Sequence, residues 1–300
     1  MSSHSPVRSL SGLIDFEAAA RWNSFRLAAR ELSKTPAAVS QQVRLLEETL
    51  GFALFIRHAR GLSLTENGRA LAHTATAVLQ QWRARIQHLQ SQNNDHLLRL
   101  SATHSFAFKW LMPRLNRFTA EQDWLDLQVD SSDALANVED GSCDIALRYR
   151  KLRQNETALL FREQLLVIYS PRLCPAPLPL QALSGYPLLY EETPANWVTL
   201  LERENIRRPH VDFAHCYNHS GLLVQAAVAG HGVALAPYSL AYEDLRQGWL
   251  LTARCAPLPS EYGYCAHYAH WRAAERKITL FLSWMRQEVD QMLAWHQGSA

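Results

Sequence analysis

The 300-residue sequence is poor in cysteine, and its five thiols, Cys143, Cys174, Cys216, Cys255 and Cys265, form no C-x-x-C pair. An odd, scattered set of this kind is poor material for a disulfide framework and leaves reduced thiols as the default. Long apolar runs are missing as well: no stretch of about eighteen apolar residues occurs. The opening MSSHSPVRSLSG has neither the apolar core nor the small-residue cleavage site of a secretory signal, so the chain reads as cytoplasmic, without a membrane partner. Catalytic signatures are lacking too. There is no G-x-S-x-G elbow, no Gly-rich phosphate loop, no H-E-x-x-H and no compelling carboxylate pair, so no enzyme class and no catalytic residue is assigned.

Apolar residues make up 48% of the chain and charged residues 19%, which suits packed globular modules with room for two or three domains. The net charge of +2 is unevenly spread. Up to Gln92, eleven Lys/Arg face six Asp/Glu, a net +5, whereas the rest carries 19 against 22, a net −3. A basic head on a mildly acidic body fits a phosphate-binding module joined to a soluble sensor.

From Leu13 to Arg21 the residues Leu13, Phe16 and Ala20 recur at helical steps and predict an amphipathic first helix. Ser24 is a good N-cap for a second, Phe25 to Leu32, whose Ala28, Ala29 and Leu32 make a small-residue face. After a turn at Ser33 and Lys34, Thr35-Pro36 starts a third, with Val39, Val43, Leu46 and Leu50 as its buried stripe and Gly51 as its end. Two short helices joined by a tight turn form a helix-turn-helix, and the exposed start of the second offers N–H groups to phosphate while its outer side chains can enter a major groove. Phe52 to Leu64, with Arg57, His58 and Arg60 around Gly61, suits a two-stranded wing. Thr65 caps a long helix to Gln92, whose seam of Leu71, Ala75, Val78, Trp82, Ile86 and Leu89 asks for a partner helix and hence a dimer. Asn93 to Asp95 make a hinge. Beyond it, apolar runs at Leu97–Ala102, Leu125–Val129, Asp144–Tyr149, Leu165–Tyr169 and Gly232–Ala236 alternate with helix-like stretches, an α/β pattern with a largely parallel sheet. Pro171 to Pro179 reads as a surface connection.

These residues resemble the LysR-type transcriptional regulators. The head carries most of the likeness, F16-E-A-A-A-R-W-N-S24 through A29, P36-A-A-V-S40, E47, G51-F-A-L-F55-I-R57 and L64-T65-E-N-G68. Two later stretches, D144-I-A-L-R-Y149 and H219-S-G-L-L-V-Q-A-A-V-A-G-H-G-V-A-L-A236, are similar to the subgroup typified by the glycine-cleavage activator and the β-lactamase-inducing activator, many of which have Asp-Ser where this chain has His219-Ser220. The resemblance implies a winged helix-turn-helix over residues 1–64, a linker and dimerisation helix over 65–92, and a periplasmic-binding-protein-like effector domain over 93–300. The last is expected as two Rossmann-like subdomains, 97–162 with 268–300 and 163–267, with a small-molecule effector in the cleft between them. It also implies promoter DNA read as an interrupted inverted repeat, a homotetramer built as a dimer of dimers, and RNA polymerase as a further partner.

The DNA-contacting candidates are the caps Ser24 and Thr35, then Pro36, Ala37, Ser40, Gln41 and Arg44 of the third helix, and Arg57 of the wing. Gln41 can pair with adenine and Arg44 with guanine or phosphate, while Arg57 fits a positioning phosphate contact; without DNA the same set is a solvated helix face. The effector candidates are Thr103, His104, Ser105 and Phe106 after the first sensor strand, Ser131 after the second, Arg148 and Tyr149, Trp197, and His219 with Ser220. Ser105 equally suits a helix cap, Arg148 a structural ion pair and Trp197 ordinary core. Arg148 and donors near Ser105 would favour an anionic metabolite. The groups His210, His215, Cys216, His219 and Cys265, His267, His270 have no strong zinc spacing, so no metal and no cofactor is assigned. An effector-independent repressor, and a ligand-binding protein or enzyme with an incidental helical head, are the competing readings.

Overall fold

The computed structural model describes residues 10–58, 61–90, 96–134, 136–175, 177–206 and 212–299, with side chains left out at 87–90 and 297–299. The expectations for Arg60, for the side chain of Leu89, for the 93–95 hinge and for His210 lie outside the described residues. The chain divides into two compact units, residues 1–91 and 92–300.

In the first unit, α1 (Leu10–Trp22), α2 (Phe25–Glu31) and α3 (Pro36–Leu50) follow the caps read in the sequence. The Ser24 hydroxyl accepts from Leu27 N at 3.3 Å and the Thr35 hydroxyl from Ala38 N at 3.2 Å, satisfying N–H groups that a helix start otherwise leaves open. The turn between α2 and α3 passes through Ser33 at φ +53°, and Gly51 at φ +78° ends α3. Phe16, Ala28, Ala29, Val39 and Val43 are fully buried together, the small alanines letting the helices approach closely. Asp15, also buried, is tied to Lys34 Nζ at 2.7 Å. Strands β1 (Phe55–His58) and β2 (Gly61–Leu64) pair antiparallel as the wing, and Phe55 docks edge-on against Phe16 and Phe25. Thr65 caps α4 (Glu66–Gln90) by accepting from Gly68 N at 2.9 Å.

In α4 the expected seam divides. Leu71 and Ala75 pack into the head core, so they serve the fold of the first unit. Val78, Trp82 and Ile86, four residues apart, are 46%, 54% and 37% exposed.

The second unit holds a nine-stranded sheet. Its strands are β3 (Leu97–Ala102), β4 (Asp126–Ser131), β5 (Ile145–Lys151), β6 (Leu159–Tyr169), β7 (Pro187–Glu191), β8 (Asp212–Tyr217), β9 (Val233–Pro237), β10 (Leu251–Thr252) and β11 (Leu258–His267), in the order β4-β3-β5-β11-β6-β9-β7-β8 with β10 beside β6. The sheet is mixed, which corrects the expectation of a largely parallel one. β3 with β4 and β5, and β7 with β8 and β9, are parallel, but β6 and β11 run antiparallel to their neighbours. Both cross from one parallel triplet to the other, giving two three-stranded α/β halves joined by two long strands. The boundary expected after residue 162 falls inside β6, between Arg162 opposite Gly263 and Leu165 opposite Pro237.

Side-chain alternation along β6 explains the two cores. Leu166 and Ile168 join the large cluster containing Phe106, Trp110 and Phe281, while Leu165, Val167 and Tyr169 face the cluster of Leu188, Trp197 and Leu201. The first is covered by α5 (His104–Phe106), which runs through a π turn into α6 (Met112–Glu121), by α8 (Ser220–Val228) and α9 (Tyr238–Arg246), and by α10 (Arg276–Ser299). The second is covered by α7 (Ala195–Arg203). Asp144, ahead of β5, is buried against Arg272 Nη1 at 2.5 Å and Lys277 Nζ at 3.4 Å, and accepts from Arg99 N at 2.7 Å. It fastens the segment before α10 to the sheet.

Candidate DNA-contacting face and ligand cleft

On the first unit, α3 buries Val39, Val43 and Leu46 and turns Pro36, Ala37, Gln41 and Arg44 to solvent, with Ser40 half-buried. Arg44 Nε lies 2.9 Å from Glu48 one turn on, an exposed pair worth a fraction of a kcal/mol, about 0.5 at most, that a phosphate or a guanine can displace. Arg57, also exposed, lies 5.4 Å from the centre of the Phe25 ring, which holds its guanidinium beside the start of α2. Ser24 and Thr35 use their hydroxyls as caps, so what they present outward is the start of each helix. Glu47, part of the family likeness but given no role from sequence, accepts at Oε1 from both Leu54 N and Phe55 N and fixes the base of the wing.

The second unit contains a cleft of about 640 Å³. Of the effector candidates, Thr103, Ser105, Arg148, Tyr149, His219 and Ser220 line it. Two others are corrected. Phe106 is wholly buried, stacked between Trp110 at 4.9 Å and Tyr264 at 4.0 Å, because the chain turns its ring under the sheet as the helix begins. Trp197 is equally buried and its indole donates to Leu189 O at 2.8 Å, so it is core of the second half. His104 and Ser131 are exposed and bonded to each other at 2.7 Å, outside the cleft wall.

Arg148 has a different role from the one its sequence position suggested. Its Nη1 donates to Ser101 O and Leu147 O, both at 2.9 Å, and its Nη2 to Ser101 Oγ at 2.7 Å and Ala134 O at 3.0 Å. All four terminal N–H groups are spent on neutral acceptors, and among the described residues the buried Nε has no hydrogen-bond partner. The guanidinium therefore lends the cleft positive potential and clamps the 134 segment. Burial lowers its pKa, though a guanidinium stays charged.

Ser105 Oγ accepts from Gly221 N at 3.0 Å, stitching the start of α5 to the start of α8. A Cβ on Gly221 would stand 3.0 Å from that oxygen, so glycine permits the approach. His219 lies at the mouth, with Nδ1 3.8 Å from Asp133 Oδ2 and its ring 6.0 Å from that of His104. Residues that sequence reasoning missed complete the wall: Asp133, Arg150, Glu191, Tyr264 and His267. Burial pushes the phenols of Tyr149 and Tyr264 up, keeping them protonated donors, and the same cause, followed by Arg150, lowers His267. Among the described residues the buried Thr103 hydroxyl, with Tyr264 as its polar neighbour, has no hydrogen bond of good geometry. No local motif marks Glu191 or Tyr264; strand register alone brings them here. Among the described residues no group of three His, Cys, Asp or Glu could hold a metal ion, and burial pushes Cys143 and Cys265 up to about 11, away from thiolate chemistry.

Residues 10–69 match the bacterial regulatory helix-turn-helix of the lysR family, and residues 91–290 match the LysR substrate binding domain. The chain is 32% identical over 283 residues to the glycine cleavage system transcriptional activator of Escherichia coli K12, covering 92% of each protein. To the transcriptional activator AmpR of Providencia stuartii it is 32% identical over 289 residues, covering 94% of this chain and 97% of that one. In fold, the effector domain of AmpR from Pseudomonas aeruginosa superposes with a TM-score of 0.54 at 20% identity, over 67% of this chain and 99% of that structure. No helix among the described residues is long and apolar enough to cross a membrane. The two family models cover both units, and the chain belongs to the LysR family of DNA-binding transcriptional regulators.

Proposed function

We propose that the protein controls promoters by binding DNA as a symmetric oligomer and changing its activity when a small polar metabolite occupies the cleft, without turning that metabolite over. Pro36, Ala37, Ser40, Gln41 and Arg44 face the major groove, Arg57 meets phosphate, and the starts of α2 and α3 at Ser24 and Thr35 approach the backbone. The exposed Val78–Trp82–Ile86 stripe supports pairing of α4 with a second copy, because an apolar stripe on a lone helix favours burial. Phe108, Met112 and Leu222, all exposed, supply the apolar material for a second self-contact and hence a dimer of dimers. An interrupted inverted repeat follows from two-fold symmetry, with RNA polymerase as a promoter partner and the cytoplasm as the site of action.

The observation that carries the effector reading is a 640 Å³ cleft lined by the hydroxyl-bearing Thr103, Tyr149 and Tyr264 together with the buried Arg148. Such a wall suits a carboxylate or phosphate. Thr103→Val, which removes one hydroxyl at nearly constant volume, should weaken a cleft ligand several-fold in calorimetry while sparing operator affinity of the free protein. An unchanged ligand affinity would place the metabolite elsewhere.

A further inference from the structure

The cleft's charged groups are not equally free. Arg148 has spent its terminal N–H groups within the protein, and Arg150 Nε lies 3.8 Å from Glu156. Burial, followed by Arg150, lowers the pKa of His267. Asp133 already accepts from His104 N at 3.1 Å and faces His219. Glu191, half-buried at the end of β7, differs: Oε2 takes a short hydrogen bond from the Ser220 hydroxyl, and no Lys, Arg or His among the described residues pairs with it.

The backbone fixes this carboxylate in place. The next residue, Glu192, stands at φ +51°, a left-handed conformation that costs a non-glycine residue energy, and its N–H donates to Tyr217 O at 2.9 Å. The chain therefore turns sharply after Glu191 and holds it against α8. A half-buried carboxylate with an open oxygen repels a purely anionic ligand and attracts a cationic one.

We propose that the effector carries a protonated amine as well as its acid group, and that Glu191, oriented by Ser220, receives the ammonium. This rests on the reading of the cleft as the effector site. The acid end lies against Thr103 and the buried Arg148, and the amine end on the side formed by β7 and α8. A zwitterion thus bridges the two halves of the unit.

The test uses the full chain and a panel of the twenty α-amino acids and their dipeptides, each matched with its N-acetyl derivative and its 2-hydroxy-acid counterpart, read by thermal shift and then calorimetry. The expected result is stabilisation by at least one amine-bearing compound, with tenfold or greater loss of affinity for both amine-free counterparts. Glu191→Gln should erase that discrimination, whereas Thr103→Val should weaken all three forms by a similar factor and leave it intact. Equal binding of amine and amine-free forms, discrimination that survives Glu191→Gln, or a panel in which no amine shifts the transition would overturn the proposal. Affinity untouched by Thr103→Val as well as by Glu191→Gln would show that the ligand does not use the cleft, which sinks the underlying reading too.

Discussion

Glu163 sits wholly buried on β6, opposite the point where the β6–β11 register shifts between Pro259 and Gly263, and no Lys, Arg or His among the described residues pairs with it. Ser239 N and Gln164 N donate to its Oε1 at 3.2 and 3.0 Å, and the Ser239 hydroxyl donates to Oε2. Burial outweighs those bonds and pushes its pKa up to about 7. The folded protein thus keeps a proton that the unfolded chain releases near 4.5, so stability falls as pH rises from about 4.5 to 7 and levels off above. Glu163→Gln should remove that slope, with little effect at pH 5 and a gain of about 3 kcal/mol at pH 8, readable as a raised Tm. Equal pH profiles for the two proteins would contradict it. Gly68 is a second informative residue: a Cβ there would stand 2.1 Å from Leu54 O, so Gly68→Ala should destabilise the head by about 3 kcal/mol, measured by denaturant unfolding of the first transition. Single residues were the least legible part of the sequence. Arg148 was visible as a strand-end arginine, but that its donors are consumed by Ser101, Leu147 and Ala134 depends on a neighbouring strand and a loop forty-seven and fourteen residues away. Phe106 was misplaced because one residue's rotation at a helix start decides whether a ring faces cleft or core.

At the scale of elements, the head was legible almost to the residue, because caps, proline at the first helical position and i, i+3, i+4 spacing act locally. Helices α2 and α3 start where Ser24 and Thr35 predict. The strands β7, β8, β10 and β11 were not read. β8 buries neither face fully, and β11 is interrupted by Pro259 and Gly263, so neither shows a two-residue alternation. The D144-I-A-L-R-Y149 signature proves structural at its first residue, since Asp144 anchors Arg272 and Lys277. For α3 and the wing, Gln41→Ala and Arg44→Ala should relax preference at particular bases, each with a loss of roughly 1–3 kcal/mol. Arg57→Ala should weaken all sequences alike and flatten the dependence of log affinity on log salt by about one unit. Identical salt slopes and base preferences in all three would refute the assignment. For α4, Val78→Asp with Trp82→Asp should yield monomers in sedimentation. Leu71 is a poor choice for that experiment, since it supports the head core. A doubly substituted protein that stayed fully oligomeric would show that another surface holds the copies together.

At the scale of the whole molecule, the charge division read from the sequence, +5 before residue 93 and −3 after it, follows the division into two compact units. DNA contact belongs to the basic unit and ligand chemistry to the acidic one. That β6 and β11 run antiparallel to their neighbours escaped notice because the direction of a strand that crosses between two α/β halves has no local signature, only a long-range register. The central claim, that α3 reads specific promoter sequences on behalf of the chain, is tested most directly by a genome-wide map of bound DNA for the wild-type protein and for the Gln41→Ala, Arg44→Ala double variant. The account predicts discrete wild-type sites carrying an interrupted inverted repeat and their loss in the variant; the same sites occupied equally by both proteins would contradict it.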